Sequence, residues 1–229
     1  LIDTMLDRLG KKDLNNSGVP MRDIRLSKTD CPTTDKERKE MQNLPYRTLL
    51  GQCGWVCLVA RPDLSYAVKE LSRFANNYGR AHWEALLELV GYIKKTRDTH
   101  KLQIKRGGGM RLTAYCDADW NSSRDEHLST TGWIIFLGDA PISWCSRTQR
   151  CVARSTAESE YVSLSSLTQE LIYIQMLCAS LDNPTHTVNI HSNTGTHEQP
   201  GCVTLWREYV RTHPHSIPQI YSDSQNAIA

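Results

Sequence analysis

Residues 111–120 read RLTAYCDADW, residues 131–138 read TGWIIFLG, and residues 141–146 read PISWCS. Each run is rich in β-branched and aromatic residues, and Gly138, Asp139 and Pro141 supply turn chemistry between the second and third. Three sequential strands with short links predict an antiparallel meander whose first strand ends in acids. A long helical pattern follows, from Ser155 to about Leu181. The run QIYSDS (219–224) reads as a separate strand, and NAIA (226–229) as the start of another helix. Strands followed by a helix, then a strand and a helix, predict an α/β or α+β domain with helices packed on a sheet.

Two glutamates open the long helix, in RSTAESEYVSL (154–164), and their roles differ. Ser155 and Glu158 have capping-box spacing, which gives Glu158 a structural role at the helix start. Glu160 has no such explanation. At ~100° per residue, Leu164, Leu167, Leu171 and Cys178 fall within about 40° of it, and Glu158 lies roughly 160° away. Glu160 is therefore expected on the core-facing stripe, where a carboxylate needs a partner or a metal. Asp117 and Asp119 end the first strand, and Asp223 ends the last. Neighbouring strands lie ~4.8 Å apart, so adjacency of those two strands would bring Asp117 and Asp223 together. A helix packed on that sheet would add Glu160. Three clustered carboxylates call for cations, and an oxygen-only set suits Mg²⁺ or Mn²⁺ over Zn²⁺. Such a site fits phosphoryl-transfer chemistry, with ions activating water and stabilising the leaving oxygen. Acids at strand ends serving only as turn and solubility residues are the competing reading.

Outward from this core, the upstream half has a different character. Residues 15–43 are polar and broken by Gly18, Pro20 and Pro32, and read as a surface loop. Leu49, Leu50, Cys53, Val56, Cys57 and Ala60 recur at helical spacing until Pro62. Asp63 is placed to cap the next helix, whose stripe is Leu64, Ala67, Val68, Leu71, Phe74 and Ala75. A third helix carries Trp83, Leu86, Leu87, Val90 and Ile93, with Lys94, Lys95 and Arg97 at its end, where cations suit the helix dipole. A small helical bundle is expected, with a domain boundary at Gly107–Gly109 dividing residues 1–109 from 110–229.

The net charge is only +2 over 229 residues, but it is unevenly spread. Residues 1–109 hold 20 Lys+Arg against 13 Asp+Glu; residues 110–229 hold 7 Arg, no Lys and 12 Asp+Glu. The basic half is expected to attract a polyanion, unless its charges only solvate a face. With 23% charged and 39% hydrophobic residues the composition is that of a folded globular chain. No apolar run approaches the ~18 residues of a membrane span. The start, LIDTMLDRLG, has neither a secretory leader nor an initiator Met at position 1, so an intracellular fragment of something longer is expected. The eight cysteines form no CxxC pair and are expected as reduced, packed thiols.

The motifs YCDADW (115–120), STTGWIIFLGDAPISWCSRTQ (129–149), RSTAESEY (154–161) and IYSDSQNAIA (220–229) together resemble the ribonuclease H domain of copia-type LTR retrotransposon Pol polyproteins. Residues 43–77 and 82–98 resemble the connection segment at the end of the reverse transcriptase in those polyproteins. The resemblance implies a ribonuclease H-like mixed sheet flanked by helices. It implies Mg²⁺-dependent hydrolysis of the RNA strand of an RNA–DNA hybrid, within a larger polyprotein and away from membranes. It assigns the metal-binding catalytic roles to Asp117, Glu160 and Asp223, with Asp119 in a supporting role. The helical-face argument selects Glu160 independently. The polymerase's own catalytic aspartates are absent. The family's fourth acid lies downstream of the fourth strand, beyond Ala229, so an incomplete metal site is expected. Residues 183–219 form an unusually long connection holding His186, His191, His197, Cys202, His213 and His215. Their spacings match no standard zinc pattern, which favours a plain insertion. A non-catalytic remnant that binds nucleic acid or polyprotein partners is the alternative from another class. A transposase or integrase is disfavoured because Glu160 precedes Asp223.

Overall fold

The computed structural model describes residues 2–9, 14, 17–22, 26–104, 111–123, 125–182 and 219–221. Helices α1 (Ile2–Arg8), α2 (Asp35–Gln42), α3 (Tyr46–Ala60), α4 (Ser65–Ser72) and α5 (Arg80–Thr96) come first. Strands β1 (Leu112–Asp119), β2 (Thr130–Leu137) and β3 (Ala140–Thr148) follow, then α6 (Thr156–Asp182) and β4 (Gln219–Tyr221). This is an α+β chain.

The helical part forms as its apolar spacing predicts. Leu49, Leu50, Cys53, Val56 and Cys57 of α3 meet Leu71 of α4 and Trp83, Leu86, Leu89, Val90 and Ile93 of α5 in one buried cluster. Met5 of α1 closes it, with the Cys53 thiol 3.9 Å from its sulfur. Tyr46, fully buried, stacks on Tyr78 and donates its hydroxyl to Leu71 O at 2.9 Å, so its polar end is satisfied inside the cluster.

Two expectations for this half are corrected. The polar stretch read as a loop contains α2, which starts in a full capping box: Thr34 Oγ1 accepts from Glu37 N, and Glu37 accepts from Thr34 N. Only Met41 of this helix is buried, so no apolar stripe announces it. Asp63 does not cap α4; residues 62–64 make a 3-10 turn and Leu64 occupies the cap position. Asp63 instead takes a bidentate pair from Arg61, at 2.9 and 2.7 Å, and a hydrogen bond from the Tyr92 hydroxyl.

The sheet has strand order β3-β2-β1-β4. The first three strands form the expected antiparallel meander, with Asp117 opposite Gly132 and Asp119 opposite Thr130. β4 lies parallel on the free edge of β1, with Tyr221 opposite Tyr115. Along β1, Leu112, Ala114 and Cys116 point inward while Tyr115, Asp117 and Asp119 are exposed, the two-residue alternation of a strand covered on one face. The inward set packs on Leu167, Leu171 and Ile174 of α6 together with Ile135.

Helical part and sheet share a polar seam. Arg73 of α4 reaches Ser123 Oγ at 3.0 Å and Asp125 at 3.1 Å in the link between β1 and β2. Lys69 donates to Thr130 Oγ1 at 2.6 Å, and the Trp144 indole donates to Cys57 O at 3.1 Å. The seven described cysteines are free thiols. Among the described residues no helix is long and apolar enough to cross a membrane.

Candidate functional site

α6 begins as its sequence dictates. Ser155 Oγ accepts from Glu158 N at 3.1 Å, and the Glu158 carboxylate reaches back to Arg154 N at 2.7 Å. The return bond lands one residue before the cap, but the role is the expected one, and Glu158 stays exposed. Two residues on, Glu160 turns inward and is buried.

The Glu160 carboxylate accepts from the backbone N–H of Ala118 at 3.3 Å, and Asp117 Oδ1 accepts from the same N–H at 2.9 Å. Two acids 43 positions apart in sequence are thereby focused on one donor at the end of β1. A second tie holds the elements together: Ser163, one turn beyond Glu160, donates its hydroxyl to Asp117 O at 2.8 Å. Asp119 is exposed at the strand end, and the next residue, Trp120, donates its indole N–H to Ala153 O at 3.0 Å, docking the loop that leads into α6.

Of the predicted site residues, the structure brings Asp117 and Glu160 together. Asp223 lies outside the described residues, as does the histidine-containing connection 183–218. β4, described as far as Tyr221, runs parallel beside β1 and is paired with it at Tyr115. Asp223 follows Tyr221 by two positions, as Asp117 follows Tyr115. Among the described residues no three His, Cys, Asp or Glu side chains form a metal-sized group. The donors that do meet are carboxylate oxygens, the chemistry that suits Mg²⁺ or Mn²⁺.

The sequence reading missed the polar residues behind the acids. Gln149, buried, donates Nε2 to Ser159 O and to Thr131 Oγ1. Ser163 was legible, since i+3 from Glu160 shares its face. Part of the basic excess also proves to be internal: Arg61, Lys69 and Arg73 are spent on Asp63, Glu70 and Asp125. Lys94, Lys95 and Arg97 at the end of α5 remain exposed.

Neither a family model nor a solved structure matches the chain. Curated relatives do. The Retrovirus-related Pol polyprotein from transposon TNT 1-94 of Nicotiana tabacum is 31% identical over 228 residues, 99% of this chain and 15% of that protein. The Retrovirus-related Pol polyprotein from transposon RE2 of Arabidopsis thaliana is 40% identical over 136 residues, 59% of this chain and 9% of that protein. Secreted RxLR effector protein 161 of Plasmopara viticola is 39% identical over 134 residues, 58% of this chain and 94% of that protein. The chain is thus similar to a short segment of retroelement polyproteins. The chain belongs to the retrovirus-related Pol polyproteins of copia-type transposons. It spans less than a sixth of the length of either polyprotein.

Proposed function

We propose that residues 110–229 are a ribonuclease H-like domain that hydrolyses the RNA strand of RNA–DNA hybrids, and that residues 1–109 are the connection segment at the end of a reverse transcriptase. The observation that carries this reading is the shared Ala118 N–H, which aims Asp117 and Glu160 at one point. The parallel pairing of β4 on β1 supports the third member, Asp223. Asp117, Glu160 and Asp223 would hold Mg²⁺ or Mn²⁺, which supplies activation of water and charge neutralisation at the leaving oxygen. The chain's own part is to hold the carboxylates: strand β1 fixes Asp117, and the inner face of the first turns of α6, where Ser159 and Ser163 are buried, fixes Glu160. Selectivity for the RNA strand rests on the 2′-hydroxyl, and the exposed cations of the helical half contribute salt-sensitive contacts to the backbone.

A second reading, a non-catalytic module that binds nucleic acid or polyprotein partners, is favoured by one observation. A relative almost wholly covered by this segment is named an effector rather than a polymerase. The two readings part on a labelled RNA–DNA hybrid. The nuclease cuts its RNA strand with Mg²⁺ or Mn²⁺ and leaves duplex DNA intact; the binding module retains the hybrid uncut.

A further inference from the structure

Gln149 stands where β3 turns towards α6 and is 4% exposed. Its backbone N–H donates to Ser129 O at 2.8 Å, at the start of β2. Its side chain then bridges two elements: Nε2 donates to Ser159 O at 2.9 Å and to Thr131 Oγ1 at 3.2 Å. The Ser159 carbonyl can only accept, so it fixes which amide atom faces the helix. Gln149 Oε1 is buried with no hydrogen-bond partner among the described residues. A buried amide oxygen left unsatisfied carries a desolvation cost, so the side chain is held in place by its donors.

Both anchor points adjoin the acidic pair. Ser159 is the residue before Glu160, and its carbonyl belongs to the helical turn that presents that carboxylate. Thr131 lies opposite Ala118, whose N–H the two carboxylates share. We propose that Gln149 is a positioning residue that sets the depth of Glu160 relative to Asp117, and so the affinity of the pair for a divalent cation. An apolar side chain of the same size would fill the space but remove the tie from the β3 end to the Ser159 carbonyl, leaving the first turns of α6 hydrogen-bonded to the sheet through β1. A glutamate there would set an acceptor against that carbonyl. The inference rests on the reading that Asp117 and Glu160 bind a cation.

The test is Mn²⁺ binding to the full chain, followed by the loss of the free-ion electron paramagnetic resonance signal, with circular dichroism and thermal unfolding on the same samples. The wild type should bind and Asp117→Asn should not. Gln149→Met should remain folded and bind about tenfold more weakly, the usual scale for outer partners of metal ligands. Thr131→Val, which keeps the bond to Ser159, should weaken binding less. A folded Gln149→Met with the wild-type Mn²⁺ midpoint overturns the inference while leaving the site intact. Absence of Mn²⁺ binding by the wild type overturns the site reading, and this inference with it. Should Gln149→Met fail to fold, Thr131→Val decides: a weakened midpoint supports the role and an unchanged one refutes it.

Discussion

Glu70 offers the sharpest energetic test of how helical part and sheet are joined. Its carboxylate is buried between two cations, pairing with Lys69 Nζ and with Arg73 Nη1 at 2.8 Å. Both cations are themselves mostly buried. Glu70→Ala leaves them facing each other, with Asp125 the one carboxylate still paired with Arg73 among the described residues and the Thr130 hydroxyl on Lys69. Breaking a buried pair by removing one partner costs about 3–5 kcal/mol. Since Arg73 keeps Asp125, the lower end applies, about 3 kcal/mol. At about 2–4 °C per kcal/mol for a chain of this size, the melting midpoint should fall by about 6–12 °C. Urea unfolding followed by circular dichroism measures the loss directly. A cycle with Arg73→Met isolates the pair, because removal of Glu70 should cost much less once Arg73 carries no charge. A change within about 0.5 kcal/mol for Glu70→Ala, the value of an exposed ion pair, would refute the reasoning.

Two further predictions follow from the helical half. A Cβ on Gly79 would lie 1.9 Å from Asp30 O and 3.0 Å from its carbonyl carbon, so Gly79→Ala must displace backbone; a loss of about 1–3 kcal/mol is expected, and an unchanged melting midpoint would contradict the close approach. His82, fully buried against Phe74, accepts from Gly79 N through Nδ1, and burial lowers its pKa below 6.5. The unfolded chain takes up a proton there that the folded chain refuses. The contribution is therefore complete above about pH 6.5 and lost as pH falls through the lowered native value. Melts from pH 8 to pH 5 should show a slope that His82→Gln reduces; identical slopes would contradict it.

How far the sequence could be read depends on which force shaped each element. Helices α3, α4, α5 and α6 and strands β1 to β3 bury periodic apolar sets, so spacing alone locates them. The same geometry separated Glu160 from Glu158. Helix α2, DKERKEMQ, rests on capping and charge, with Met41 its only buried residue, and periodicity passes over it. Its Thr34–Glu37 box was nonetheless visible as a pattern. Asp63 looked like a cap because it follows a proline; a 3-10 turn and the nearby Arg61 gave it other work. Gln149, Lys69 and Arg73 illustrate the remaining gap. Each is polar and unremarkable in sequence, and each acquires its role only when a partner distant in the chain is packed beside it.

Hydrolysis by the acidic pair is tested most directly by incubating the chain with an RNA–DNA hybrid labelled on the RNA strand, in Mg²⁺ and in Mn²⁺, beside Asp117→Asn and Glu160→Gln. The wild type should cut the RNA strand, and either substitution should abolish cutting with hybrid binding retained. A wild type that is folded and binds the hybrid but leaves the RNA uncut, or cutting that survives both substitutions, would contradict it.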